Sequence, residues 1–260
     1  MIRPVLVGAL ALSLVACGAR DAAPGVGTPE PNAPAAVSGE ITVFAAASLT
    51  ETFTELGTRF EQANPEATVT FNFGGSSALA QQLNEGAPAD VFASASPVNM
   101  TQVRESGAVT EKAATFARNR LEIVVPAGNP GGITGLADFA DEGKTIALCA
   151  EQVPCGAAAT KAFEAAGITA APDTLEQDVK AVLTKVRLGE VDAGLVYRTD
   201  VLAAGEDVEG IAFPEAEQAL NDYSIAALAA APNAAGAQAF INFVLDPGRD
   251  VLASAGFEEP

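Results

Sequence analysis

The sequence predicts an α/β fold with mainly parallel sheets, and three observations carry that expectation. Beyond about residue 39, short β-branched segments alternate with segments whose apolar residues recur at helical spacing. Two strands run directly into small residues and a hydroxyl before a helix opens: Ile41-Thr42-Val43-Phe44-Ala45-Ala46-Ala47-Ser48-Leu49, and Val69-Thr70-Phe71-Asn72-Phe73-Gly74-Gly75-Ser76-Ser77-Ala78-Leu79. No internal repeat of fixed period is present, so the chain is not a solenoid.

The amino-terminal stretch reads as separate from the fold. Arg3 precedes an apolar run from Val5 to Val15, too short for a membrane span and fitting the apolar core of a secretory signal. Leu14-Val15-Ala16-Cys17 resembles the end of a bacterial lipoprotein signal, which implies a signal peptide over 1–16 and a lipid on Cys17. The alternative is an ordinary signal peptide with an incidental cysteine. Residues 17–38, rich in Pro, Ala and Gly without apolar periodicity, read as a flexible tether.

The elements then follow in order. Leu49, Phe53, Leu56 and Phe60 lie on one helix face, and Ser48 with Glu51 fits a capping box at its start. Asn64-Pro65 ends that helix. Thr68 to Phe73 alternates as a strand, with Val69, Phe71 and Phe73 on one side. Leu79 and Leu83 mark a helix ending near Gly86, Asp90 to Ala93 a short strand, and Val98 to Ser106 a helix. Leu121 to Pro126 is a strand, Leu136 to Glu142 a short helix, and Thr145 to Cys149 a buried strand. Gly156 to Ala166 is an Ala-rich helix stopped by Gly167. Asp178 caps a helix carrying Val179, Val182, Leu183 and Val186, with Gly189 beyond its end. Val191 to Tyr197 and Ser224 to Ala230 are strands, and Ala235 to Leu245 and Arg249 to Ala255 close the chain as helices.

Composition narrows the chemistry. The 260 residues carry 14 Lys and Arg against 33 Asp and Glu, a formal charge of −19, and no His. Loss of residues 1–16 removes only Arg3, leaving 13 cations against 33 acids and a charge of −20. Such a chain is unsuited to nucleic acid, whose phosphates need clustered Lys and Arg. Catalysis also finds little support: no His base, no Gly-x-Ser-x-Gly elbow and no Ser-x-x-Lys around either serine turn. Of the three cysteines, Cys149 and Cys155 form an even pair once Cys17 carries lipid, and an exported chain favours a disulfide between them; two buried thiols are the alternative. A two-cysteine metal site lacks further ligands.

The two serine turns are the strongest candidates for a site. The first N–H groups of a helix have no partner within it, and the helix dipole makes that end partly positive. Two such ends facing one cleft would hold a small oxyanion without a cationic side chain. Ser48 and Ser76 taken singly are also ordinary helix caps, and Ser77 is an equal alternative to Ser76. Gly74-Gly75 allows close approach of backbone to a ligand, but no Lys follows as in a P-loop. Tyr197 ends a strand and offers a neutral O–H donor, or is core packing. Glu51 is an awkward carboxylate one turn into this helix unless it bonds to the cap or points to solvent.

Taken together, these segments resemble the molybdate-binding proteins that feed ATP-driven importers. The matching stretches are Ile41 to Thr50, Gly75-Ser76-Ser77-Ala78-Leu79-Ala80, Gly86 to Ala95, Val153-Pro154-Cys155-Gly156, Asp178-Val179 and Gly194 to Asp200, spread over essentially the whole chain beyond Gly39. The resemblance implies a two-lobed fold of the periplasmic-binding-protein type II class, with 39–120 and 224–260 in lobe one, 121–223 in lobe two, and the ligand in the interlobe cleft. It implies hydroxyls and N–H groups from Ser48 and Ser76, main-chain N–H groups from Cys155 and Val179, and the Tyr197 hydroxyl, all around a tetrahedral dianion. Molybdenum would enter only as the bound oxyanion, with no cofactor. Cys155 departs from the small residue often found at its position, a change a backbone donor tolerates, and a bridge to Cys149 would stiffen the loop. The implied protein is a monomeric lipid-anchored receptor outside the cell membrane, whose partners are molybdate or tungstate, the lipid bilayer through Cys17, and the permease of an ABC importer. Sulfate on the same scaffold, an exported enzyme acting on an oxyanion ester, and a scaffold lipoprotein without small ligand are the rival expectations.

Overall fold

The computed structural model describes residues 37–260. The expected signal peptide, Cys17 and nearly all of the expected tether lie outside the described residues. Ser38, expected as the tether's last residue, instead opens the first strand.

The order is β1 (Ser38–Ala46), a 3₁₀ turn (Ala47–Leu49), α1 (Thr50–Ala63), β2 (Glu66–Gly74), α2 (Ser76–Asn84), β3 (Val91–Ser94), α3 (Pro97–Glu105), β4 (Ala114–Asn119) and β5 (Leu121–Pro126). A 3₁₀ turn (Leu136–Ala140) leads to β6 (Ile146–Cys149), α4 (Pro154–Ala166), β7 (Thr174–Glu176), α5 (Val179–Arg187), β8 (Ala193–Tyr197), α6 (Arg198–Ala204) and β9 (Val208–Ile211). β10 (Asn221–Ala227), α7 (Ala234–Leu245) and α8 (Arg249–Ser254) complete the chain.

Two five-stranded sheets result, ordered β2-β1-β3-β10-β4 and β7-β6-β8-β5-β9. In the first, β1 pairs parallel with β2 and β3, while β10 runs antiparallel to both β3 and β4. In the second, β6 pairs parallel with β7 and β8, while β5 runs antiparallel to both β8 and β9. Four strands of each sheet therefore share a direction and one is reversed, which is the mainly parallel α/β fold that the alternation predicts. The chain passes between the sheets from Asn119 to Leu121 and returns before Asn221. Asn221 pairs with Asn119 and Tyr223 with Ala117, so residues 221–223 belong to the first sheet, three residues ahead of the expected boundary at 224. The expectation missed them because Asn221 and Asp222 are polar and the strand's apolar alternation starts later.

Each sheet is covered on both faces, the condition for parallel strands. Ile41, Val43 and Ala45 pack on one side of β1 with Phe53, Leu56, Phe60 and Phe240, while Phe44 points the other way to Leu79, Phe92 and Met100. The second sheet buries Ile123, Ile146, Leu195, Val182 and Phe163 in its own cluster. Ala47, at the end of β1 in the first lobe, packs into this second cluster, so the two lobes touch at the mouth of β1.

Candidate functional site

The 3₁₀ turn after β1 and the amino ends of α2, α4 and α5 converge on one small cavity. Ser48, Ser76, Cys155, Val179 and Tyr197 all line it; Ser77, the alternative to Ser76, does not. Among the described residues that line it there is no Lys or Arg. Asp178 is its one carboxylate, and its Oδ1 accepts a hydrogen bond from Ala181 N at 2.9 Å, the expected cap of α5.

Neither serine acts as a helix cap. Ser48 sits within the 3₁₀ turn, and α1 follows from Leu49 without a side-chain cap. The capping box expected from Ser48 and Glu51 is therefore not formed. Ser48 Oγ instead lies 2.8 Å from Tyr223 Oη. Ser76 is the first residue of α2 rather than the residue before it, and its Oγ accepts from Ala95 N at 3.0 Å. That bond does not use the serine's own proton, and the residue lines the cavity.

Tyr197 is buried at the end of β8, and burial pushes its phenol well above the usual range. It stays protonated and can donate at any physiological pH. Asn221 Nδ2 reaches Tyr197 Oη at 2.5 Å and Pro154 O at 3.3 Å. Beside it, Asn119 Nδ2 donates to Thr199 Oγ1 at 2.8 Å, so the crossing strands carry a buried polar seam. Arg120, between β4 and β5, pairs with Glu217 and with Glu258.

Glycine sets the closeness of approach at two points. A Cβ on Gly75 would stand 2.3 Å from Gln177 O, a backbone atom of the other lobe. A Cβ on Gly156 would stand 2.0 Å from Ala150 O, so the loop before α4 closes tightly on itself. Cys149 and Cys155 flank that loop and are bridged, with Sγ–Sγ 2.04 Å and Cα–Cα 5.7 Å.

A second interlobe contact was not legible in the sequence. Lys180 Nζ lies 2.7 Å from Glu51 Oε2 across the lobes and 2.8 Å from Asp200 Oδ1. Asp200 is fully buried and its Oδ2 accepts from Tyr197 N at 3.1 Å. Burial raises the Asp200 carboxyl, with the Lys180 charge opposing. Burial would lower Lys180, but the charges and hydrogen bonds of Asp200 and Glu51 outweigh it and hold the ammonium above its usual value. Glu51 thus neither caps α1 nor stands free; it is turned to Lys180, away from the cavity it does not line. Lys and Asp two elements apart leave no spacing signal that sequence reasoning could have used.

Two lobes joined by two crossings, with helix ends and neutral hydroxyls around the cavity between them, define a ligand-capturing protein. The chain matches the model of the family described as bacterial extracellular solute-binding protein over residues 41–258, and it belongs to that family. Among its relatives, a Mycobacterium tuberculosis protein named molybdate-binding protein ModA is 41% identical over 252 residues, covering 96% of this chain and 95% of that one. The Escherichia coli protein of the same name is 32% identical over 234 residues, covering 84% and 89%. Among solved structures, the Azotobacter vinelandii periplasmic molybdate-binding protein aligns with a TM-score of 0.72 at 20% identity, covering 85% of this chain and 99% of that one. The sulfate-binding protein SubI of Mycobacterium tuberculosis aligns with a TM-score of 0.73 at 17% identity, covering 85% and 86%. Both structural likenesses concern the fold. The protein is a solute-binding protein and not an enzyme.

Proposed function

We propose that this protein captures molybdate, or tungstate of nearly the same size, in the interlobe cavity and delivers it to the membrane permease of an ATP-driven importer. One observation carries the reading: donors from both lobes, namely Ser48 and Ser76 from one and Cys155, Val179 and Tyr197 from the other, meet at a cavity lined by no cationic side chain. Molybdate is fully deprotonated at neutral pH and accepts at every oxygen, so uncharged donors and helix amino ends suffice. The relatives named for molybdate binding, alike over almost the whole chain, support the same ligand. Binding to the folded state alone raises stability by about 2.7 kcal/mol at a hundredfold excess over Kd. A thermal melt should therefore rise with molybdate and with tungstate, and no rise with either would refute the reading.

Each hydroxyl is expected to matter separately. Ser48→Ala and Tyr197→Phe should each weaken molybdate binding about tenfold, the loss of one hydrogen bond to a charged acceptor. Circular dichroism should find both folded. Parental affinity in both would remove these residues from the site.

The same reading takes residues 1–16 as a cleaved signal, Cys17 as the lipid-bearing residue and the released domain as a monomer. Incorporation of labelled fatty acid that disappears in Cys17→Ser tests the anchor. The Cys149–Cys155 bridge is proposed to persist in the exported protein, where disulfides survive. A double Cys149→Ser, Cys155→Ser variant is then expected to lose about 2 kcal/mol, the chain-entropy value for so short a loop. Two titratable thiols in the unfolded, unreduced protein would contradict the bridge.

A further inference from the structure

We infer that Asn221 fixes the direction of the Tyr197 hydroxyl and thereby makes the cavity select an oxyanion that carries no proton. The inference rests on the oxyanion reading above and assigns a positioning role to a residue that does not line the cavity. The orientation of the Asn221 amide follows from its neighbours. The same Asn221 nitrogen faces both Pro154 O, at 3.3 Å, and Tyr197 Oη, at 2.5 Å. A backbone carbonyl can only accept, so the group turned to it must be the NH₂ and not the amide oxygen. Tyr197 Oη therefore receives a hydrogen bond from Asn221. Its own single proton cannot lie along that line; it is left for an acceptor in the cavity that Tyr197 lines or for the neighbouring Tyr223 hydroxyl, and a bound dianion is the stronger acceptor of the two.

The consequence is specificity. A hydroxyl held as a donor suits molybdate, whose oxygens all accept. It offers nothing to the P–OH or As–OH proton of hydrogen phosphate or hydrogen arsenate; the one carboxylate at the cavity, Asp178, is already engaged by Ala181 N, and a buried donor without a partner is costly. Asn221 holds this position because β10 pairs it with Asn119 at the crossing between the sheets, and its amide reaches Tyr197 at the end of β8. A purely structural asparagine would contribute to folding but not to the choice between two dianions.

The test compares molybdate with hydrogen phosphate, by calorimetry at a pH where both are dianions, so that plain charge repulsion cancels in the ratio of their affinities. Asn221→Asp places acceptors against Tyr197 Oη and should turn its proton away from the ligand. Asn221→Leu keeps the size of the side chain and frees the hydroxyl to turn either way. The ratio of molybdate to phosphate affinity should fall about tenfold in the Asp variant and several-fold in the Leu variant. In a Tyr197→Phe background the same substitutions should change the ratio less than about twofold, because the group they act through is gone. An unchanged ratio in the folded single variants overturns the inference, as does an equal fall in the Phe background. Failure of both variants to fold assigns Asn221 to the scaffold and overturns it too. If the unsubstituted protein binds neither molybdate nor tungstate, the oxyanion reading itself has failed instead.

Discussion

Gly75→Val is expected to weaken molybdate binding by about two orders of magnitude while leaving the unliganded fold intact. Gly75 precedes α2 in extended backbone, a conformation open to any residue, so the substitution carries no local strain. The obstacle is across the cleft: a Cβ there would stand 2.3 Å from the Gln177 carbonyl oxygen and 3.7 Å from Asp178 Cβ. Both belong to the turn that opens α5, the helix whose first residue, Val179, lines the cavity. A backbone carbonyl cannot swing aside as a long side chain can. The lobes must part, and the donors of α5 move away from those of α2. Overpacking of this kind costs about 3 kcal/mol at the upper end of its usual range, and here it falls on the closed form alone. A ligand that draws its affinity from closure loses that amount, about a hundredfold in Kd. Small-angle scattering should show the variant staying extended with ligand present. Parental affinity would mean that closure against Gln177 is not required for binding.

Lys180→Met should cost about 3 kcal/mol of stability at neutral pH, the effect of leaving a buried charge without its partner. The ammonium lies 2.8 Å from Asp200 Oδ1, and Asp200 is fully buried. Glu51, the other partner, is half exposed, so its pairing adds little. The sign of the pH dependence follows from Asp200. Its folded carboxyl is already raised by burial, and Lys180 is what opposes that rise. Without Lys180 the folded carboxyl rises further above its unfolded value. A group raised in the folded state contributes stability at low pH that is lost as pH climbs through the folded value. The deficit of the variant should therefore be largest above neutrality and shrink on acidification. Denaturant titrations at several pH values would check this, and a deficit that is constant with pH would contradict the role given to Asp200. Lys180→Met with Asp200→Asn should recover much of the loss, since the charge no longer needs a partner.

How far the sequence could be read depends on where each element lies. α1 was legible because Leu49, Phe53, Leu56 and Phe60 all pack into one core and keep their helical spacing. The cap of α5 was legible because Asp178 and Ala181 are local partners. β4, β7 and β9 were not, and all three are edge strands. An edge strand is half solvated and short, so its pattern of alternation is weak: β7 is Thr-Leu-Glu and β9 is Val-Glu-Gly-Ile. β2, the remaining edge strand, was readable because Val69, Phe71 and Phe73 still face the core. α6 was missed because the seven residues that follow Tyr197 are too few to show a helical period, and its Asp200 looks like another surface acid until Lys180 is placed beside it.

The lining of the cavity was readable in part from strand, small residue and hydroxyl, because those groups sit at helix starts. What orients them was not. Tyr223 against Ser48 and Asn221 against Tyr197 join residues 175 and 24 positions apart, through the pairing of β10 with β4. Nothing local in Asn221-Asp222-Tyr223 announces that pairing. The one available signal was a second tyrosine in a chain that has two.

The most direct test of the central claim is titration calorimetry of the protein with molybdate, tungstate, sulfate and phosphate, one after another. Tight one-to-one binding of molybdate, a comparable response to tungstate, and weak binding of sulfate and phosphate are expected. Sulfate binding more tightly than molybdate, or no heat with any of the four, would contradict it.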